Sequence, residues 1–433
     1  MKYFRASKIR TVLPGIATVI SRFSLGIVLA ALPLLLAHLY GKDSAKTVAL
    51  AINLSSYSSW LALGGYATVM RDFRLAEDEF EKCRLSHIYR RLAALQTVGA
   101  FLLTTAIAVT YLKIAKPTYL ADSMNLLLAG LVFGVVVQCS SFWLNISLGS
   151  SYARNNFVGI GIGVSAVRIL TLVVVLAGSY ISMSSESALS AAAFFCVLGS
   201  LFLCIRFGFA SNVSDQDTKY EFRSLARLLS ESIIYFKWSL LATAVFVFPV
   251  TAIASAEPSI LLPATIAFFL VGASQNVIAA LITPQTNRLQ DGIGDLSALK
   301  AYFILTGKTS LMVTGVAFLL VWLLNPLLDK YVDSGGRQTF LTMTLVLIFA
   351  AGVRALTLAP TQAAIALRKE KLVMLSPLLE AGSSIVGVSA CWFFRRGDLI
   401  IWVFVLAVMI RVLAAGALET GLIVSHWRLK ERP

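Results

Sequence analysis

The sequence predicts an all-α polytopic membrane protein with about 12 transmembrane helices in two six-helix lobes related by a pseudo-two-fold, and three observations carry that expectation. The chain is 58% hydrophobic and only 14% charged over 433 residues, which leaves too little polar surface to cover a soluble domain of that size. Apolar runs of about 20 residues recur along it, the length a helix needs to cross a hydrocarbon core of about 30 Å. Finally, Arg22-Phe23-Ser24-Leu25 in the first run is echoed by Lys237-Trp238-Ser239-Leu240 in the seventh, with Pro33 or Pro249 following each by about three turns. The echo suggests two related lobes.

In chain order, the first lobe (residues 1–210) carries spans at Thr11–Leu39, Thr47–Met70, Leu92–Ile114, Met124–Leu148, Phe157–Ile181 and Leu189–Phe209. The second (233–433) carries Ile233–Ser255, Ile260–Ile282, Phe303–Leu324, Phe340–Leu358, Leu372–Phe394 and Leu399–Ser425. Each is bounded by charge or by turn-forming residues. Between the lobes, residues 211–232 form the longest polar stretch, a cytoplasmic linker whose segment Tyr220–Leu229 has the pattern of an amphipathic helix lying on a membrane surface. Thr11–Leu39 is too long for a signal-peptide core despite the basic residues before it, so it is expected to be a retained first span.

The charge distribution sets the expected orientation. Of the 37 Lys and Arg, 23 fall on the side of the two termini and the even-numbered loops, 8 on the opposite side and 6 within spans, with Lys113 and Arg206 at span ends counted with the adjoining loops. Positive charge collects on the cytoplasmic side, so both termini and the linker are expected there. The same distribution explains the net charge of +15 without a nucleic-acid partner. Outward loops such as Ser184–Ser187 and Ala256–Pro258 are short, which leaves no room for an enzymatic domain outside.

No cofactor or metal is expected. The five cysteines lie mostly within apolar runs without paired spacing, and His38, His87 and His426 form no ligand motif. Gly307-Lys308-Thr309 lacks the leading glycine and the preceding strand of a phosphate-binding loop. Gly159, Gly161 and Gly163 lack the last glycine of a dinucleotide fingerprint and, like Gly130 and Gly134, suit close helix packing instead. The sequons at Asn53, Asn145 and Asn212 fall within spans or on the inner side.

The six cations within spans are Arg22, Arg168, Lys237, Lys308, Arg354 and Arg411. A charge at the bilayer centre costs roughly 2.5–3.5 kcal/mol on insertion scales, so it faces a bundle interior or a watery cavity. Lys308 and Lys237 stand near the starts of their runs and can snorkel. Arg411 has two candidate acids: Glu419, two turns along, and Glu380 on the neighbouring span. Glu380 and Glu419 are also the titratable groups available for ion coupling. Arg22, Arg168 and Arg354 have no acid on their own helix, so an anionic ligand is their expected partner. With Lys237 they make up the expected cationic cavity.

Three patterned segments then resemble a known family. Leu63-Gly64-Gly65-Tyr66-Ala67-Thr68-Val69-Met70-Arg71 closes the second span with glycines and an arginine. Ala279–Leu289 contains Pro284-Gln285-Thr286-Asn287-Arg288-Leu289 and leads to Gly294-Asp295. Ala366-Leu367-Arg368-Lys369-Glu370-Lys371 forms a short basic loop. In order and position these resemble the Wzx-like polysaccharide flippases of the multidrug/oligosaccharidyl-lipid/polysaccharide (MOP) exporter superfamily, over nearly the whole chain. The resemblance implies a MATE/MOP-like fold and a place in the bacterial inner membrane. It implies transport of an undecaprenyl-pyrophosphate-linked oligosaccharide for O-antigen, capsule or exopolysaccharide, by alternating access through the cationic central cavity. The implied partners are this lipid-linked substrate, membrane lipids and the polysaccharide polymerase machinery. Arg22 matches the family's tendency to place a cation in span one. Drug exporters of the superfamily often carry an Asp there, and this span has no acid. A MATE-like small-molecule exporter is the alternative, and a membrane polysaccharide polymerase or ligase a more distant one.

Overall fold

A computed structural model describes residues 20–207, 233 and 236–429, apart from 22, 23, 25, 27, 63–68, 70, 71, 74, 75, 77, 116–119, 121, 122, 154–156, 292–294, 330–336 and 368. Arg22, the linker 211–232 with its amphipathic segment, and the glycines of the segment ending at Arg71 lie outside the described residues. The protein is an all-α polytopic membrane fold. Ten helices among the described residues are long and apolar enough to cross a bilayer, and they coincide with the third to twelfth expected spans. The first two spans have shorter counterparts, α1 (Val28–Tyr40) and α2 (Lys42–Ser56), the latter continuing as a 3-10 turn over Tyr57–Ala62.

The described residues cluster into two units. One holds Leu35–Thr243 together with Ser21 and Ser24; the other holds Leu25–Leu34 and Ala244–Pro433. This partition differs from the boundary expected at the linker, because part of the first span belongs with the later helices. Gly26 supplies a physical reason: a Cβ built there would stand 2.6 Å from the Cβ of Ala273, so only glycine allows so close a helix approach.

In the first unit, α3 (Glu79–Ala115), α4 (Met124–Ala153), α5 (Phe157–Tyr180) and α6 (Ser185–Phe207) follow α2. Gly130 and Gly134 of α4 let α2 approach, since Cβ atoms there would fall 2.7 Å from Ala51 Cβ and 2.0 Å from Ser55 Oγ. The four-residue spacing therefore serves packing, as small residues do between membrane helices. Large apolar side chains of α6, including Phe194, Leu198 and Phe202, point outward. That is the surface a lipid environment covers.

Helix α7 (Phe236–Ala256), whose residues from Ala244 belong to the second unit, bends at Val247, where Pro249 cannot donate a hydrogen bond to the Val245 carbonyl. Then come α8 (Leu261–Asp291), α9 (Leu296–Asp329), α10 (Arg337–Ala355), α11 (Leu358–Ala366), α12 (Leu375–Phe393), α13 (Ile400–Ala414) and α14 (Thr420–Leu429). Two thirds of the Pro258–Ala279 window is buried, at 67%, against 17% for Leu296–Leu323, so α8 is central in this unit and α9 peripheral. Asp295, ahead of the α9 span, accepts a 2.8 Å hydrogen bond from the Ser297 amide, and Trp427 Nε1 donates to its carbonyl at 3.2 Å. Hydrogen bonding from Ser297 holds the Asp295 carboxyl below its usual range.

Candidate functional site

The intramembrane cations are held in two unlike settings, one in each unit. In the second unit the local sequence prepares the site. Pro360 has no N–H for the Leu356 carbonyl, and the helix breaks at Leu356 and Thr357 between α10 and α11. Arg354 therefore stands in the last turn of α10, where unpaired carbonyls favour a cation. Thr357 Oγ1 donates to the Arg354 carbonyl at 2.8 Å, which leaves its lone pair for a second arginine.

That second arginine is Arg411 of α13, whose Nε donates to Thr357 Oγ1 at 2.9 Å. Both guanidinium groups converge on Glu380 of α12. Arg354 binds it through Nε to Oε1 at 2.6 Å and Nη2 to Oε2 at 3.1 Å, and Arg411 Nη1 reaches Oε2 at 2.5 Å. The Arg354 pair is bidentate, the fork geometry in which guanidinium binds carboxylate most firmly. Gln275 of α8 closes the remaining side: its Oε1 accepts from Arg354 Nη1 at 3.4 Å while its Nε2 donates to the Ala351 carbonyl. Phe246, beside the α7 bend, lies 4.8 Å from the Arg354 guanidinium carbon, within cation–π reach. Glu380 is 1% exposed, so this is a buried Arg-Glu-Arg triad.

Glu419 has a different task. A π-helical turn over Ala415–Glu419 carries it to the start of α12, where both of its oxygens bind Ser376, from the amide at 2.8 Å and from Oγ at 2.7 Å. A carboxylate at a helix N-terminus satisfies orphan donors and favours the helix dipole. Of the two acids expected for Arg411, the structure pairs it with Glu380.

The triad corrects one expectation. Arg354 was expected to await an anionic ligand because its own helix has no acid, yet Glu380 from α12 already fills its fork. The partner comes from a different helix, 26 residues on in sequence. Lys237 is exposed at the start of α7, the position of a snorkelling lysine. It belongs to the first unit and the triad to the second.

In the first unit, Arg168 is as buried as Arg411, with each 7% exposed. It projects from the middle of α5, and no carboxylate reaches it among the described residues. Nη1 donates to the Ser21 carbonyl and to Ser24 Oγ at 3.3 Å, and Nη2 donates to Ser141 Oγ of α4 at 3.4 Å. Ser24 Oγ itself donates to the Ser21 carbonyl at 2.9 Å, which fixes the pair. Arg168 Nε is buried without a hydrogen-bond partner among the described residues. This is a positively charged group solvated by neutral oxygens, with its Nε left without an acceptor among the described residues. Ser21 and Ser24 stand on either side of Arg22 in sequence, so the segment singled out at the start supplies the cradle for Arg168.

Sequence reasoning did not find Ser21, Ser141, Gln275, Phe246 or Thr357 as partners. A polar residue in an apolar span is a signal in itself, but which helix it faces is set only by packing. No group of three or more His, Cys, Asp or Glu suited to a metal occurs among the described residues.

No family model and no curated protein matches the chain. Solved structures do. The chain is similar to an inward-facing multidrug resistance MATE family transporter of the MOP superfamily, at 12% identity and TM-score 0.66 over 98% of this chain and 99% of that one. It is also similar to an outward-facing multidrug resistance MATE family transporter of that superfamily, at 14% identity and TM-score 0.63 over 97% of each chain. A Vibrio cholerae MATE transporter matches at 14% identity and TM-score 0.61, over 97% of this chain and 98% of that one. The fold is therefore MATE/MOP-like.

Proposed function

We propose that the protein is a membrane transporter of lipid-linked anions. On this reading it moves undecaprenyl-pyrophosphate-linked oligosaccharide units across the bacterial inner membrane by alternating access. The MATE/MOP-like fold supports transport, and the resemblance to Wzx-like flippases supports this cargo. The observation that carries the reading is Arg168: a buried guanidinium inside a span, without a carboxylate partner among the described residues and with a donor unused. Removing a charge from water without pairing it costs several kcal/mol, and a pyrophosphate oxygen would supply the missing partner. Arg22 and Lys237 join Arg168 as proposed ligands of the same anion. Arg354, Arg411 and Glu380 serve as an ion-paired joint between α10, α12 and α13, with Glu380 as its one carboxylate.

Export of small molecules is the second reading, favoured by the solved structures described as multidrug transporters. One reconstitution separates the two. The purified chain is placed in liposomes with a short-sugar polyprenyl pyrophosphate, and the fraction of sugar reached by an added glycosidase is followed. Protein-dependent exposure of the inner pool, lost in Arg168→Ala, is the expected result. An inner pool that stays protected, together with protein-dependent movement of organic cations, would replace the flippase reading with the exporter.

A further inference from the structure

Helix α4 is partly open on two opposite faces, and the two differ in chemistry. From Phe133 to Ser151 none of its residues is exposed, and the partly exposed ones are Val136, Gln138, Ser141, Trp143 and Asn145. At about 100° per residue, Val136 and Trp143 share one side of the helix, where they line a largely apolar groove with α3 and α6. Phe101 and Leu201, which also line that groove, are exposed, so this is the lipid side. Gln138, Ser141 and Asn145 lie about half a turn round, within an arc of about 60°. The second face is polar and turned away from lipid.

The local sequence accounts for the opening. Gly130 and Gly134 continue the polar face toward the start of α4, and α2 packs there through Ala51 and Ser55. Ser55 and Ser56 each donate a hydroxyl back to the Ile52 carbonyl at 2.8 Å, and Ser58 donates to the Ser55 carbonyl at 2.6 Å. Such back-bonding bends helices, and α2 gives way to the 3-10 turn at Tyr57. That turn is tied to α3, where Gln96 Nε2 donates to the Leu61 carbonyl at 2.5 Å. Close packing of α2 thus covers the face at Gly130 and Gly134, and the partly exposed stretch begins one turn later, at Gln138.

Ser141 joins this face to Arg168. Its hydroxyl donates to the Val137 carbonyl at 3.1 Å and accepts from Arg168 Nη2 at 3.4 Å. Gln138 stands about one turn to one side of Ser141, and Asn145 about one turn to the other. Neither side-chain amide has a hydrogen-bond partner among the described residues. An amide at this depth is costly unless something polar satisfies it. Each offers an acceptor oxygen and two N–H donors without a charge, the complement of a hydroxyl, which both donates and accepts. Two such groups flanking the serine of a buried cation suit an uncharged, hydroxyl-rich group attached to an anion.

We propose that Gln138 and Asn145 form the sugar-recognising subsite for the cargo. They bind hydroxyls of the sugar attached to the pyrophosphate, while Arg168 holds the phosphate oxygens. The subsite rests on the cargo reading above and adds to it the residues that tell a sugar-bearing lipid from a bare one. The amides stand about 10 Å apart along α4, so the sugar is held at two separate points. A site built to hydrogen-bond hydroxyls discriminates against an analogue that lacks them.

The full chain in nanodiscs is titrated with two probes, a polyprenyl pyrophosphate and the same lipid bearing one N-acetylglucosamine. The parent protein should bind the sugar-bearing probe several-fold more tightly. Gln138→Leu and Asn145→Leu should each reduce that preference, and the double variant should abolish it, with affinity for the sugar-free probe unchanged. Retained binding of the sugar-free probe also shows that each variant is folded. Arg168→Met should weaken both probes together. Equal affinity of the parent protein for the two probes, or a preference that survives in the double variant, would overturn the subsite and leave the cargo reading standing. Loss of both probes in the amide variants would make Gln138 and Asn145 structural residues and overturn the subsite as well. A parent protein that binds neither probe would overturn the cargo reading, and the subsite with it.

Discussion

Arg168 and Arg411 are equally buried, each 7% exposed, yet they are held by opposite chemistries. Arg411 shares a carboxylate with Arg354, at 2.5 Å from Glu380 Oε2. Among the described residues Arg168 meets a carbonyl and two hydroxyls, and its Nε has no acceptor. Burial alone therefore does not distinguish an arginine held by a carboxylate from one held by neutral oxygens. The distinction lies in the partner, and a guanidinium solvated by neutral oxygens still carries its full charge outward. In the triad of the second unit both arginines share a carboxylate, whereas the buried arginine of the first unit has none among the described residues.

The comparison breaks most visibly at Glu380. Glu380→Gln leaves two guanidinium groups facing each other without a countercharge, and removing one member of a buried ion cluster typically costs about 3–5 kcal/mol. The expected outcome is a large fall in thermal stability and in the yield of monodisperse protein, and Glu380→Gln with Arg411→Met should recover much of it. A single variant as stable as the parent would mean that the triad is not the joint described.

At Arg168 the expected signs reverse. Arg168→Met should leave the unfolding temperature unchanged or slightly raised, since an apolar replacement of a buried charge is often neutral or stabilising. Flipping should nevertheless fall by about 100-fold, the loss expected from roughly 3 kcal/mol of charge-assisted hydrogen bonding to the anion. Liposome flux and a thermal melt on the same preparation check both halves. A melt that collapses as far as that of Glu380→Gln would make Arg168 a structural residue like Arg411.

Smaller effects sharpen the contrast. Glu419→Gln keeps an acceptor at the start of α12 and loses only the charge, so a cost of about 0.5–1 kcal/mol is expected in a melt. Lys237→Ala at an exposed position should change stability by less than about 0.5 kcal/mol. Its flux should fall less than that of Arg168→Met; an equal fall would shift the weight of anion binding onto α7.

Much of the architecture was legible in the sequence, because each of the third to twelfth spans is a predominantly apolar run, and in lipid a helix satisfies its backbone within the segment. The breaks inside spans were less legible. Pro249 was singled out, whereas the interruption at Leu356 and Thr357 depends on Pro360 acting on a carbonyl four residues back. The sequence also limited Arg411 to two acids, and the structure selects Glu380 because the π-helical turn commits Glu419 to Ser376. The Arg354 pairing was hidden for a related reason. Its acid lies on another helix, and a rule confined to one helix does not see across a bundle. Nor does any local pattern show that Ser21 and Ser24 turn their oxygens to Arg168, 147 and 144 residues away. Such contacts arise only when helices distant in sequence are packed together.

The asymmetry between the two units is tested most directly by ligand-induced stabilisation of the purified chain. Its thermal unfolding is followed with a polyprenyl pyrophosphate and, separately, with the matching uncharged polyprenol, for the parent protein and for Arg168→Met. A ligand that binds only the folded state raises the unfolding temperature in proportion to its affinity. The account predicts a rise with the pyrophosphate in the parent protein, little or none with the polyprenol, and loss of the rise in Arg168→Met. A rise that survives in Arg168→Met, or no rise in the parent protein, would contradict the assignment of Arg168 as the cation held ready for an anionic cargo.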